Sequence, residues 1–325
     1  MFAAWMLAGA LLAGSSSAQA LDEVRAALVV RPDDVELRRT ALRLAFAHKR
    51  WSDVLAWTDG RSRFRGERAR ALFFLARYRE ALELLDAADD EEAFLVLDAL
   101  EALGELERHD RVLAEVRARL GAADARVAAA EGRVALREGR FQEACERFGS
   151  ALASDPWCLA AHFGLGRARL GAGDVPGARV ALEEHRRLVP LFDELDFAQR
   201  GVELDPAHGP NHAKVGDVER AIGRLPLAHA AYLRALEHST GAERVPVVLR
   251  LARFLEEDVG DSDAAVGLLG AELQADFEPR LAVRRGDVLA RAERLEEALA
   301  AYRAVLRQRP DDAAVLRRIA ELEAR

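Results

Sequence analysis

The sequence contains few aromatic residues, only two cysteines and no regular alternation of β-branched with polar residues. Aromatic residues make up 6% of the 325 residues, whereas 50% are hydrophobic, mostly Ala, Leu and Val. The lack of alternating β-branched runs argues against an extensive sheet. Ala and Leu are the strongest helix formers, and Glu and Arg follow closely. The composition therefore predicts an all-helical protein whose core consists mainly of small aliphatic side chains.

Sequence signatures of catalysis are also absent. The chain contains no His-Glu-x-x-His, no Gly-x-Ser-x-Gly and no phosphate-binding loop that ends in Gly-Lys-Ser/Thr, which argues against the corresponding peptidases, hydrolases and nucleotide-binding proteins. Gly164-Leu-Gly166 matches only the start of a dinucleotide-binding motif, because Arg169 occupies the place of the third glycine. We therefore predict that the protein is not an enzyme and binds no cofactor.

The histidines and cysteines give no support for a metal site or a disulfide. His208 and His212 are four residues apart, but the glycine and proline between them predict a solvated turn rather than one helical face. Cys145 and Cys158 lie in a segment predicted as one helix, whose rise would separate them by about 20 Å. We predict no bound metal and two thiols that do not bridge each other.

The net charge of −8 and the pI of about 5.6 disfavour general nucleic-acid binding, because proteins that neutralise many phosphates are normally basic.

The N-terminus has the form of a secretory signal peptide. An uncharged apolar stretch at 2–14 precedes Ala18-Gln19-Ala20, a small-x-small triplet that predicts cleavage after Ala20 and a periplasmic or secreted protein. No Lys or Arg precedes the apolar stretch, so a buried N-terminal helix or a misplaced start codon are the alternatives. No later segment is apolar over a length that would span a membrane.

Two neighbouring segments repeat with a period of about 34 residues, a length typical of stacked helix pairs. Four pairs of residues show that spacing: Gly132 with Gly166, Ala144 with Ala178, Phe148 with Leu182, and Pro156 with Pro190. A second set is spaced by slightly more than two periods, with room for one more copy between its members: Gly216 with Gly286, Ala228 with Ala298, and Tyr232 with Tyr302. The surplus residues between the two sets, 191–206, are predicted to form one extra inserted helix.

These residues resemble the tetratricopeptide repeat family, in which each unit of about 34 residues is a helix–turn–helix. The resemblance implies an all-α fold, an α-solenoid of about eight helix pairs wound as a right-handed superhelix and closed by a C-terminal capping helix. We divide the chain accordingly into a signal peptide (1–20), divergent repeats (21–124, with one turn near His109), two well-formed repeats (125–190), the inserted helix (191–206), three further repeats (207–312) and the capping helix (313–325).

The resemblance also implies that the first helix of each repeat lines a concave groove that binds a partner protein or peptide. The residues at the corresponding places are Arg126, Arg133, Arg137, Phe163, Arg167, Leu170, Asp217 and Asp287. The arginines would form a basic strip that favours an acidic peptide, and the aspartates would make the groove more negative toward the C-terminus. The alternative is that the arginines belong to a solvated helix face.

The predicted function is that of a scaffold or adaptor for protein–protein interaction. The alternative is a non-catalytic regulatory or recruiting subunit of a bacterial envelope enzyme complex or of a secretion or polysaccharide complex. The sequence leaves the oligomeric state and the identity of the partner open.

Overall fold

A computed structural model describes residues 17–324, which contain 18 α-helices and no strand. We number the helices in chain order: α1 (Ser17–Val30), α2 (Val35–Ala47), α3 (Trp51–Thr58), α4 (Arg65–Phe74), α5 (Tyr78–Leu82), α6 (Glu92–Leu103), α7 (Leu106–Leu120), α8 (Ala125–Arg137), α9 (Phe141–Ser154), α10 (Leu159–Gly171), α11 (Val175–Leu204), α12 (Gly209–Ile222), α13 (Leu225–Glu237), α14 (Arg244–Phe254), α15 (Ser262–Ala275), α16 (Pro279–Arg291), α17 (Leu295–Gln308) and α18 (Ala313–Glu323). Short 3₁₀ turns lie at Ser62–Phe64 and Gly241–Glu243, and a π-helical turn, Leu255–Val259, follows α14.

From α2 to α17 the helices form eight consecutive pairs, which confirms the predicted α-solenoid of helix pairs. The chain divides between Pro190 and Leu191 into two compact units. Unit 1 contains α1, the pairs α2/α3, α4/α5, α6/α7 and α8/α9, the helix α10 and α11 as far as Pro190. Unit 2 contains the rest of α11, the pairs α12/α13, α14/α15 and α16/α17, and the single helix α18. We call the two members of each pair its first and second helix.

One helix differs from the predicted division of the chain. The stretch 191–206 is helical as far as Leu204, but it continues α11 without a break and is not a separate inserted helix. Pro190, which was predicted to end the repeat, lies inside this helix. A proline removes one backbone hydrogen bond but does not always end a helix.

Glycines with positive φ form most of the tight turns between paired helices. Gly139, Gly173 and Gly223 have φ values of +75°, +84° and +104°, in the left-handed region that glycine reaches without steric cost. The prediction of a turn near His109 was wrong. Gly104, with φ +73°, ends α6 instead, and His109 is buried within α7.

The recurring glycine of the first helix provides room for the bulky residue of the second. A Cβ at Gly132 would lie 2.8 Å from Phe148 Cε1, and one at Gly286 would lie 2.4 Å from Tyr302 Cε1. Gly166 faces Leu182 and Gly216 faces Tyr232 in the same way. The residues that revealed the repeat are therefore contacts that join the two helices of these four pairs.

The two cysteines lie on different helices, which corrects the prediction of one helix between them. Cys145 belongs to α9, whereas Cys158 is the N-cap of α10, because α9 ends at Ser154. Both thiols are free and partly buried against the core of the α8–α10 region. Burial raises the pKa of both thiols, which reduces their reactivity.

The predicted signal peptide lies outside the described residues as far as residue 16. In the part that the structure describes, none of the helices has the length and the apolar character needed to cross a membrane.

Candidate functional site

The predicted groove residues of unit 1 lie on two first helices, α8 and α10. Arg126 stands in the first turn of α8, where Asp124, the N-cap, accepts a hydrogen bond of 3.0 Å from its Nη2. The guanidinium also lies 4.6 Å from the ring centroid of Phe94 in α6. Burial acts to raise the pKa of Asp124, but hydrogen bonds from the Arg126 side chain and from two backbone N–H groups outweigh it and lower the pKa. Arg126 therefore already has an anionic partner.

Arg133 and Arg137 are also paired with acids. Arg133 Nη1 lies 2.8 Å from Asp98 Oδ1 in α6, the first helix of the preceding repeat. Arg137 Nη2 donates to Asp110 Oδ1 in α7 at 3.2 Å. Burial opposes ionisation of Asp110, but hydrogen bonds from His109 and Arg137 prevail and lower its pKa. These ion pairs link neighbouring repeats, and they neutralise most of the predicted basic strip.

Arg167 is the exception. Within residues 17–324 it has no ion-pair partner, and its guanidinium lies 5.8 Å from the ring centroid of Phe163 on the same helix, within the range of a cation–π contact. Phe163 is 45% exposed and Leu170 is 49% exposed. The Phe163 ring also contacts the ring of His185 in α11, with centroids 5.2 Å apart. We call Phe163, Arg167, Leu170 and His185 the Arg167 cluster.

The two predicted acidic groove residues belong to unit 2, and both have internal partners. Asp217 accepts a hydrogen bond of 2.8 Å from the hydroxyl of Tyr232, and Arg250 Nε of the next first helix lies 3.4 Å from its other oxygen. Asp287 accepts from the hydroxyl of Tyr302 at 2.8 Å and from Arg318 Nε at 2.9 Å. Burial first, and then the hydrogen bond to the aspartate, raise the pKa of both tyrosines.

The prediction that these aspartates form a negative end of the groove was incomplete, because each carboxylate binds a buried tyrosine and an arginine, which belongs to α14 for Asp217 and to α18 for Asp287. The buried phenol is thereby paired, which avoids the cost of an unsatisfied polar group.

Sequence reasoning missed a second charge network in unit 2. The π-helical turn after α14 carries Glu256, whose Oε2 lies 2.6 Å from Arg284 Nη2 and whose Oε1 lies 2.5 Å from Arg291 Nε, both in α16. The next two acids bind Arg220 of α12, at 3.1 Å from Glu257 and 2.6 Å from Asp258. The run of three acids was visible in the sequence, but its partners lie about one period away and only the fold identifies them.

Of the two histidines predicted to lie in a solvated turn, His208 is the N-cap of α12, and His212 differs from the prediction. α12 begins at Gly209 with Pro210 in its first turn, so His212 lies inside the helix and is buried. Its Nε2 lies 2.8 Å from the carbonyl oxygen of Pro206, and its ring stacks on that of His238. Among the described residues, no group of three or more His, Cys, Asp or Glu is arranged to bind a metal ion.

A cleft of about 690 Å³ lies between α7, α8 and α9. At its side, Glu131 of α8 lies 3.1 Å from Arg117 Nη1 of α7 and 3.3 Å from Arg147 Nη1 of α9. The polar side chains that line the cleft are therefore largely engaged in ion pairs within the protein.

Comparison with known proteins identifies the repeats directly. Residues 129–190 match a tetratricopeptide repeat model, and residues 246–323 match a tetratricopeptide repeat-like domain. No curated protein sequence matches the chain.

Among solved structures, a thermophilic tetratricopeptide repeat protein of Thermus thermophilus is 21% identical over 62% of this chain and 100% of that one, with a TM-score of 0.35. YrrB, a repeat protein of the same kind with an unusual peptide-binding site, is 16% identical over 63% of this chain and 96% of its own, with a TM-score of 0.32. The tetratricopeptide domain of P58(IPK) is 16% identical over 98% and 96% of the two chains, with a TM-score of 0.30. TM-scores this low carry no inference about this chain, and the assignment rests on the sequence matches.

Proposed function

Because this chain is a tetratricopeptide repeat protein, we propose that it acts as a non-catalytic scaffold that binds a partner protein through an acidic peptide segment. Members of this family are typically non-catalytic, and their first helices commonly carry the binding surface. The binding surface in this chain is the Arg167 cluster. The observation that carries this proposal is that Arg167, alone among the predicted groove arginines, has no acidic partner within residues 17–324, while it adjoins an exposed aromatic ring.

The chemistry of the cluster favours a carboxylate with an apolar neighbour. A guanidinium can bind a carboxylate through two parallel hydrogen bonds. The exposed faces of Phe163 and Leu170 beside it would bury an apolar side chain of the same peptide. Arg126, Arg133 and Arg137 contribute less to this binding, because a ligand would have to displace Asp124, Asp98 or Asp110 from them.

The test is to capture partners from the native host and compare their affinity for three forms of the full chain. Arg167→Glu should weaken binding of the partner about tenfold or more, which corresponds to about 1.4 kcal/mol. Arg234→Glu makes the same change of charge on an exposed arginine of a second helix, α13, and should leave the affinity unchanged. Higher salt should weaken binding to the wild type. Equal affinities for all three forms would disprove the role of the cluster.

We also propose that the protein acts in the periplasm or outside the cell. The Ala18-Gln19-Ala20 triplet after an apolar stretch supports cleavage after Ala20. Mass spectrometry of the protein from its host should then find an N-terminus at Leu21. An intact Met1 or Phe2 terminus in the cytosolic fraction would contradict this assignment.

A further inference from the structure

Within unit 1, the first helix α10 packs on the second helix of the preceding repeat, α9, through two glycines two turns apart. A Cβ at Gly164 would lie 2.2 Å from Phe148 Cζ, and one at Gly171 would lie 2.3 Å from Phe141 Cδ1. Phe148 is completely buried as a result. α9 thus presents a stripe that contains Phe141 and Phe148, and the following first helix, α10, covers this stripe with glycine residues.

Unit 2 repeats this arrangement at two places. Phe254 of α14 lies against Tyr232 and His229 of α13, with ring centroids 5.4 Å and 5.7 Å apart. α18 contributes Val315 to the core that also contains Tyr302 of α17. Tyr232 and Tyr302 are 1% and 2% exposed. In each case the bulky residue of the second helix is buried in a core to which the next helix along the chain contributes.

The equivalent stripe on α11 is largely exposed, although Ala178 within it is buried. We call it the α11 stripe and define it by Val175, Ala178, Arg179, Leu182, Glu183 and Arg186, which together with Leu170 line a cleft of about 350 Å³. Val175 stands one period after Phe141 and Leu182 one period after Phe148, yet Val175 is 62% exposed and Leu182 is only partly buried. All residues that line this cleft belong to unit 1.

The charges of the stripe indicate which kind of helix would cover it. Arg186 is exposed and has no ion-pair partner among the described residues. Arg179 and Glu183 form a loose pair at 3.5 Å, with exposures of 80% and 58%, and such a pair is worth little. The stripe therefore carries a net positive charge beside an apolar surface.

We propose that the α11 stripe is a second docking surface, which receives an amphipathic α-helix of an acidic partner protein. The helix would place two small residues, two turns apart, against Val175 and Leu182, as α10 places Gly164 and Gly171 against α9. An acidic residue of the helix would bind Arg186. The cleft shares Leu170 with the Arg167 cluster, but Arg167 itself does not line it, so the proposal does not depend on the proposed role of Arg167.

The probe is a fluorescent, hydrocarbon-stapled peptide with the sequence of residues 159–171, in which both arginines are replaced by glutamate. This peptide keeps Gly164 and Gly171, which pack on α9 in the protein, and supplies acidic groups. Its binding to the full chain is measured by fluorescence anisotropy. A second peptide, in which these two glycines are replaced by leucine, should bind about tenfold or more weakly, because leucine side chains prevent close approach to the stripe.

A matched pair of variants of the protein tests the location. Val175→Asp should weaken binding of the acidic peptide about tenfold or more, which corresponds to about 1.4 kcal/mol. Val180→Asp places the same charge at a valine of equal exposure, 64%, on another face of the same helix, and should have no effect. Arg186→Glu should weaken the acidic peptide and strengthen a peptide that retains the two original arginines.

Three results would overturn this inference: no binding of the acidic peptide to the wild type, equal loss in the two valine variants, or equal binding of the glycine and leucine peptides. Arg167→Glu in the protein should leave the affinity for the acidic peptide unchanged. Loss of binding in that variant alone would place the peptide on the Arg167 cluster and would exclude the α11 stripe as its site.

Discussion

α9 and α11 are the second helices of adjacent repeats and carry matching residues, but the surroundings of Phe148 on α9 differ from those of Leu182 on α11. On α9, Phe148 lies between Gly132 of its own pair and Gly164 of α10. On α11, Leu182 packs on Gly166 of its own pair and lines an open cleft on the other side. α10 begins within five residues of the end of α9, whereas α11 continues to Leu204. Matching residues of two second helices are therefore buried to different extents, and the contact with Gly164 of α10 accounts for the complete burial of Phe148.

The largest expected effect would test this difference in burial. Phe148→Ala should lower the free energy of unfolding by about 3–5 kcal/mol, because it leaves a cavity between two helices. Leu182→Ala removes a half-covered side chain and should cost less, about 2 kcal/mol or below. Chemical denaturation followed by circular dichroism measures both. Equal losses would mean that Leu182 is as well covered as Phe148.

The second effect concerns the close approach of α10 to α9. Gly164→Val should destabilise the protein by about 1–3 kcal/mol, because the new side chain would collide with the Phe148 ring. Gly149→Ala is the control, since no atom lies within 4 Å of a Cβ at this helical glycine. Alanine there should stabilise the protein by about 0.5–1 kcal/mol. If valine were tolerated at Gly164, the contact between the two helices could not depend on a small residue.

A third prediction compares the aromatic residues of the two units at the same place in the repeat. Phe148 of unit 1 needs no polar partner, whereas the Tyr232 hydroxyl of unit 2 donates to Asp217. Tyr232→Phe should therefore cost about 1 kcal/mol, although the ring remains in place. Tyr78→Phe in α5 removes a hydroxyl that has no hydrogen-bond partner within residues 17–324 and should change the melting temperature little. An equal change in melting temperature in both variants would mean that the hydrogen bond to Asp217 does not contribute to stability.

The smallest effect concerns one buried carboxyl group. Ala135 of α8 lies three residues after Gly132, and Glu219 of α12 lies three residues after Gly216, at the same place in the repeat. Glu219 is buried, and its carboxylate lies 3.9 Å from the Arg224 guanidinium. Burial raises the pKa of Glu219 despite this arginine. A raised carboxyl pKa in the folded state stabilises the fold at low pH, and that contribution is lost as pH rises through the folded pKa.

Glu219→Gln should consequently raise stability at pH 7 by less than about 1 kcal/mol and should make no difference near pH 3, where the glutamate is protonated in both states. Thermal melts of both proteins at the two pH values measure this. A variant less stable than the wild type at pH 7 would show that the attraction of Arg224 exceeds the cost of burial.

The helix pairs could be predicted because each depends on residues close in sequence. Gly132 and Phe148 lie within one repeat unit, and their recurrence after one period identifies a contact within one helix–turn–helix. The turn was wrongly predicted near His109 because this segment lacks the small and bulky residues typical of the family, and Gly104 is the one glycine that marks the turn. The continuation of α11 through Pro190 could not be read from the sequence, because a proline ends a helix in most contexts but not in all.

The charges of the candidate site could be predicted only in part. Spacing correctly placed Arg126, Arg133 and Arg167 on first helices. It could not show that Arg133 binds Asp98, which lies about one period earlier in another repeat. Arg167 and Arg133 occupy the same place in their helices, and nothing in the local sequence distinguishes the paired arginine from the one without an acidic partner.

The sequence by itself determined the all-helical fold, the period and the residues that join four of the helix pairs, because a helix turn and the contact of a glycine with a bulky side chain of the same pair are local. The tertiary structure alone decided which second-helix stripe is covered and which arginine has no acidic partner. Both depend on which helix lies beside which in neighbouring repeats, and an ion pair or a buried stripe exists only when both of its sides are brought together.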